Sequence, residues 1–129
     1  MTRQAARTAS SMIDMHSHFL PRSWPDLAAR FGTPDWPWMR HLGAGRAMLM
    51  VGAQEFRPVS SACWDPAVRL EAMDRDGVDV QIMCATPILF AYHRPAAEAL
   101  ECARFFNDAA REMCAARPRR LSRRARRLP

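Results

Sequence analysis

Between residues 65 and 116 helix and strand signals follow one another with little room for loops, and this run constrains the fold more than any other stretch. Asp65-Pro66 offers a side-chain acceptor at an N-cap and a proline at the first helical position, where a missing N–H costs nothing. Val68, Leu70 and Met73 then make an apolar face, and Gly77 supplies the left-handed stop. Val78-Asp79-Val80-Gln81-Ile82-Met83-Cys84 follows at once, alternating and then turning apolar, as a strand in a covered sheet does. Thr86-Pro87 ends it. In residues 95–116, Ala97, Leu100, Ala103, Phe106, Ala110 and Met113 recur at helical spacing, which predicts a long amphipathic helix packed back on the strands and ending before Pro118. With one strand upstream the order is strand, excursion, helix, strand, helix, an α/β rhythm.

The upstream strand carries Ile13-Asp14-Met15-His16-Ser17-His18. Side chains of an extended segment alternate faces, so His16 and His18 point the same way, and two neutral imidazoles can close on one zinc-like ion. Taken alone the pair reads more readily as two polar residues of a loop, and two histidines alone hold zinc weakly. Met12, Ile13 and Met15 are expected to be buried, with Phe19-Leu20-Pro21 leaving the strand. Residues 24–38 are rich in Trp and punctuated by Pro25, Pro34 and Pro37, which predicts irregular structure with at most one short helix. Residues 47–51 and 55–59 read as a small antiparallel hairpin with Gly52 at the turn, and Pro58 suggests an edge position. Trp24, Trp36, Trp38, Trp64, Phe90 and Tyr92 read as packing residues, as do Met48, Met50, Met73 and Met83. His41 and His93 read as exposed loop histidines.

The chain has 129 residues, 49% of them hydrophobic and 25% charged, the composition of one globular domain, and no apolar run approaches the length of a membrane span. Cys63, Cys84, Cys102 and Cys114 are widely spaced, and no secretion signal accompanies them, so they are expected to be reduced thiols in the cytoplasm. The net charge of +6 is unevenly placed. All 19 basic residues are arginine, and seven of them lie in residues 117–129. Residues 1–116 therefore carry 12 arginines against 13 acidic residues, a net of −1. The expected organisation is a disordered lead-in over residues 1–11, a folded body over 12–116 and an Arg-rich solvated tail over 117–129. Such a tail could neutralise phosphates. Nucleic-acid binding is nevertheless disfavoured, because the body offers no basic patch and the tail no interleaved aromatics.

Across residues 13–121 the chain resembles the N-terminal portion of the 2-amino-3-carboxymuconate 6-semialdehyde decarboxylase family of the amidohydrolase superfamily. The resemblance rests on residues 13–19 (IDMHSHF), 56–59 (FRPV), 64–66 (WDP), Met73-Asp74 with residues 77–81 (GVDVQ), residues 84–87 (CATP) with Phe90 and Tyr92, and Asn107-Asp108. It implies part of a (β/α)8 TIM-barrel metal-dependent hydrolase fold whose first strand ends in the His16/His18 zinc ligands. It also implies that Arg57 grips a substrate carboxylate, a role suited to a guanidinium. The implied reaction is a lyase step of tryptophan catabolism, decarboxylation of a semialdehyde carboxylate without an organic cofactor, in a full-length enzyme that is a homodimer. A complete barrel takes roughly 250 residues. The later ligands and base have no counterpart here, so the chain is expected to be inactive alone. The resemblance fails within residues 119–122, where an apolar third strand should follow, and the arginine-only composition leads to the expectation of a frameshifted gene. A non-catalytic fragment whose strand edges pair with another chain is the other reading.

Overall fold

The computed structural model describes residues 11–123; residues 1–10 of the expected lead-in and residues 124–129 of the expected tail lie outside the described residues. Three parallel strands, β1 (Ile13–Phe19), β5 (Val80–Ala85) and β6 (Leu121–Arg123), form one sheet in the order β1-β5-β6. Each pair of neighbours is joined by a helical connection: α2 (Pro66–Asp76) precedes β5, and α3 (Ala96–Ala115) precedes β6. Sequential parallel strands with intervening helices are the repeating unit of a (β/α) barrel. An antiparallel meander of β2 (Pro37–Gly43), β3 (Arg46–Val51) and β4 (Gln54–Ser60) lies between β1 and α2 in sequence, preceded by the short helix α1 (Leu27–Phe31).

Local signals explain the helix boundaries. The Asp65 carboxylate accepts from the Ala67 N–H at 2.9 Å, Pro66 occupies the first turn, and Gly77 takes a left-handed φ of 71°. The Val78 N–H then reaches back to the Met73 carbonyl at 2.9 Å, closing the helix with a Schellman-type bond. In α3 the buried stripe is Ala99, Cys102, Ala103, Phe106, Ala110, Met113 and Cys114, so Ala97 and Leu100 lie off the expected face. This stripe joins two cores. Toward its C-terminal end it meets Phe19, Met73, Met83 and Leu121, which bind α2 and α3 to the parallel sheet. Nearer its start Ala99, Cys102 and Phe106 meet Leu20, Leu27, Trp36, Leu49 and Leu89, which bind the meander to the same helix. Met48 is only half-buried, whereas Met50, Met73 and Met83 are core.

Four expectations are corrected. Ile13 and Met15 are 51% and 71% exposed, as is much of Met12, because helices cover only one face of the sheet among the described residues. The hairpin is three-stranded, since residues 37–43, which begin inside the stretch read as irregular, pair with β3 once Pro37 has started the strand. Pro58 does lie on an edge strand, β4. Tyr92 is exposed and Trp38 partly so, its indole N–H donating to the Gly52 carbonyl at 2.7 Å.

The fourth correction concerns the tail. Residues 117–120 form a turn and residues 121–123 pair with β5. Arg120 explains this order: its guanidinium donates to the Asp79 and Val78 carbonyls at 2.6 and 2.9 Å and to Asp74 at 2.8 Å. Leu121 beside it is 1% exposed within the sheet core. Charge composition misled because one apolar residue and one clamping arginine outweigh the solvation of their neighbours. Leu121→Ala should cost about 2 kcal/mol, the low end for a buried leucine, since a short edge strand can settle onto the gap. Urea unfolding reads this directly, and an unchanged midpoint would mean that the segment is detached.

All four cysteines are thiols. Burial pushes the Cys114 thiol above its ordinary value, partly offset by Arg123 and Arg69. The folded state then holds this proton more tightly than the unfolded chain. The stabilisation is complete below about pH 8.5 and declines as pH rises from there through the raised folded value. Between pH 7 and 9.5 the thermal midpoint of the protein should fall more steeply than that of Cys114→Ala; parallel curves would contradict the shift.

Candidate metal centre

β1 is not a regular strand. Asp14 pairs with Gln81 but Ser17 with Met83, so β1 spends three steps where β5 spends two, and a bulge falls at Met15 and His16. In a regular strand Asp14, His16 and His18 would share a face. With the extra residue, Asp14 stays with Ser17 and Phe19 on the side covered by the helices, while His16 and His18 lie on the open side. There the two Nε2 atoms converge to 3.1 Å, with the rings edge-on at 82°. Two nitrogens on a tetrahedral zinc stand about 3.3 Å apart at ordinary Zn–N lengths. The pair therefore has the spacing of two corners of such a site. No cluster of three or more His, Cys, Asp or Glu able to hold a metal occurs among the described residues, so the fit is to half a ligand set.

The side chains behind the pair fix its position. One Asp14 oxygen accepts from the His16 backbone N–H at 3.0 Å, which holds the bulge, and the other accepts from the Gln81 amide at 3.1 Å. Gln81 in turn accepts from Arg69 Nη1 at 3.0 Å, and Arg69 Nη2 donates to the His18 carbonyl at 2.7 Å. Arg69 is buried on α2, and desolvation pulls its guanidinium below its ordinary pKa, opposed by nearby Cys63, Asp14 and Cys114. His18 Nδ1 lies 3.1 Å from Cys84 Sγ at the end of β5. An imidazole that ligates through Nε2 keeps its proton on Nδ1, so Cys84 accepts from His18 in the metal-ready tautomer.

Arg57 lies in the other sheet, on β4, exposed, with its guanidinium 5.8 Å from the Phe56 ring centre. It pairs in register with buried Leu49, so its side chain leaves the sheet on the face that packs on the body. The end of the meander is tied to the end of β1, where the Leu20 N–H donates to the Cys63 carbonyl at 3.0 Å. His41 is on β2 rather than in a loop; its Nε2 pairs with the Arg22 carbonyl at 2.7 Å and its ring stands edge-on to Trp64. His93 is exposed in the turn before α3, beside Arg94, whose guanidinium stacks on Trp36 at 4.2 Å.

Sequence reading missed Asp14, Arg69, Gln81 and Cys84. Only Arg69 left a signal, a charged residue four positions before the core residue Met73 and so on the buried face of its helix.

No protein-family model matches the chain. It is 35% identical over 112 residues to 2-amino-3-carboxymuconate-6-semialdehyde decarboxylase of Dictyostelium discoideum, which covers 87% of this chain and 31% of that protein. The protein of the same name from Caenorhabditis elegans is 33% identical over 117 residues, covering 91% of this chain and 29% of its own. The one from Sus scrofa is 45% identical over 47 residues, covering 36% of this chain and 34% of its own. The chain thus spans about a third of the length of these relatives. In structure it is similar to Metarhizium anisopliae IDCase in apo form, with a TM-score of 0.66 at 17% identity, over 91% of this chain and 35% of that one. From sequence and architecture together, this chain is a partial member of the 2-amino-3-carboxymuconate-6-semialdehyde decarboxylase family and carries part of a (β/α)8 barrel.

Proposed function

We propose that the chain is the metal-binding N-terminal portion of a zinc-dependent, cofactor-free decarboxylase acting on 2-amino-3-carboxymuconate 6-semialdehyde in tryptophan catabolism. The observation that carries this is the convergence of His16 and His18 Nε2 to 3.1 Å near the C-terminal end of a parallel strand, the end at which barrel enzymes build their sites. The four thiols suit a reducing, cytoplasmic setting, and no helix among the described residues is long and apolar enough to cross a membrane.

In this reading His16 and His18 hold a divalent cation, which supplies Lewis acidity when bound. Cys84 orients the His18 ring and Asp14 maintains the bulge that aims His16. Arg57 grips a substrate carboxylate in the two-pronged geometry that a guanidinium provides. Each orients the reactant; no proton donor for the carbanion left by carbon dioxide is assigned among the described residues. The chain is therefore expected to bind metal and not to turn over, the full-length homodimer being the active form.

The purified chain, supplied with zinc and freshly generated semialdehyde, should consume it no faster than buffer does. With cobalt it should show absorption bands from imidazole ligation. Turnover above background would overturn the inactivity, and absence of those bands the metal assignment.

A further inference from the structure

We infer that the connection from β5 to α3 is a strut that sets the distance between the His16/His18 pair and Arg57, with Arg94 as its positioning residue. This rests on the reading of the pair and Arg57 as two sides of one site. They belong to different sheets, the pair to β1 and Arg57 to β4 of the meander. At one end of the meander β4 runs directly into residues 61–63, and the Leu20 N–H donates to the Cys63 carbonyl at 3.0 Å. The opposite end, where β2 starts beside the β3–β4 turn, is reached along the chain only through α1 and the residues around it.

The β5–α3 connection spans that gap. At its start Thr86 donates to the Phe19 carbonyl, next to His18, from its backbone N–H at 3.2 Å and its hydroxyl at 2.9 Å. A 3-10 turn over Pro87–Leu89 follows, and Leu89 and Ala91 are buried in the core that holds Leu49 and Trp36. At its end Arg94 donates to the Thr33 hydroxyl at 3.3 Å and to the Pro34 and Asp35 carbonyls at 2.8 and 3.1 Å. The same guanidinium stacks on buried Trp36. Residues 35 and 36 interlock with the β3–β4 turn. Asp35 is in the left-handed region at φ 63°, the Gly52 N–H donates to the Trp36 carbonyl at 3.2 Å, and a Cβ at Gly52 would stand 2.9 Å from an Asp35 carboxylate oxygen. Arg94 thus holds the turn from which β4, and with it Arg57, sets out. Its Nε is buried with no hydrogen-bond partner among the described residues, so this placement comes at some cost in stability.

Pulsed electron resonance on the full chain tests this, with nitroxides carried by ketone-bearing residues in place of Gln54 on β4 and Glu71 on α2, both exposed. The parent should give one narrow distance distribution. Arg94→Ala should broaden it about twofold toward longer distances, and Arg94→Lys should recover part of the narrowing, because an ammonium neither stacks as a plane nor reaches all three acceptors. Arg30→Ala, which breaks the exposed Arg30–Glu101 ion pair between α1 and α3, should leave the width unchanged. The cobalt bands of the His16/His18 pair should be the same in all these proteins, since Thr86 still holds the end of β1. An Arg94→Ala distribution as narrow as the parent's, or an Arg30→Ala distribution as broad as that of Arg94→Ala, would overturn the inference; where Arg94→Ala does not fold, Arg94→Lys is held to the same comparison. Cobalt bands missing from the parent would overturn the reading of the site, whatever the distances show.

Discussion

Replacing Arg69 with leucine should destabilise the protein by about 3–5 kcal/mol, the largest loss expected of any single substitution at the sheet. Arg69 is a buried cation that satisfies the Gln81 amide oxygen and the His18 carbonyl at once, while its charge faces Asp14. Leucine fills much of the volume but leaves both acceptors without their donor. Its gain is smaller: the desolvated charge disappears, along with a buried Nε that has no hydrogen-bond partner among the described residues. Arg69→Lys should recover only part of the loss, because an ammonium reaches one acceptor where a guanidinium fork reaches two. Urea midpoints of the three proteins would show this order. A leucine variant within about 1 kcal/mol of the parent would mean that the network contributes placement rather than stability. The metal test on that variant then becomes informative, since the His18 backbone would have lost the donor that positions it.

The second large effect is on metal affinity with the fold left intact. His18→Ala should lower cobalt or zinc affinity at least about a hundredfold, beyond the roughly 10- to 100-fold typical of losing a group behind a ligand. His18 is half-buried and its hydrogen bonds through the ring go to His16 and Cys84, so unfolding should shift little. Cys84→Ser is the graded counterpart. A hydroxyl is smaller and sits farther from Nδ1, so affinity should fall about tenfold through looser orientation of the ring. Calorimetric titration with zinc separates the two. Equal losses at His18 and Cys84 would place Cys84 among the ligands, and no loss at His18 would remove the pair from metal chemistry.

The exposed side of the sheet gives these predictions their setting. In parallel sheets both faces are ordinarily covered. Here Met83, at 0% exposure, marks the covered face, and Ile13 and Met15 mark the open one. The histidines lie on the open face, with Cys84 beside His18, whereas Asp14, Gln81 and Arg69 lie on the covered one. On the proposed reading, stability and metal binding fall on opposite sides of one strand. For this reason the Arg69 and His18 variants are expected to separate so cleanly.

What could be read without coordinates was whatever depends on near neighbours in the chain. The Asp65 cap, the Pro66 start, the Gly77 stop, strand β5, the β3–β4 turn and helix α3 all follow from bonds or periodicities spanning a few residues. The His-x-His spacing likewise singled out His16 and His18 as a pair on one face, because period-two alternation is local. Alternation alone carries no sign of the bulge, which moves Asp14 to the opposite face. That bulge exists only in the pairing of β1 with a strand 67 residues away, where Asp14 meets Gln81. The same distance hid Arg69, whose acceptors come from β1 and β5, and Arg120, whose clamp on residues 74–79 turns an apparent solvated tail into β6. It also hid the exposure of Ile13 and Met15, since burial depends on what covers a face and not on the hydrophobicity of the residues that form it. Side-chain chemistry and local backbone preference are written residue by residue, whereas register, burial and the sharing of hydrogen bonds arise only when distant segments meet.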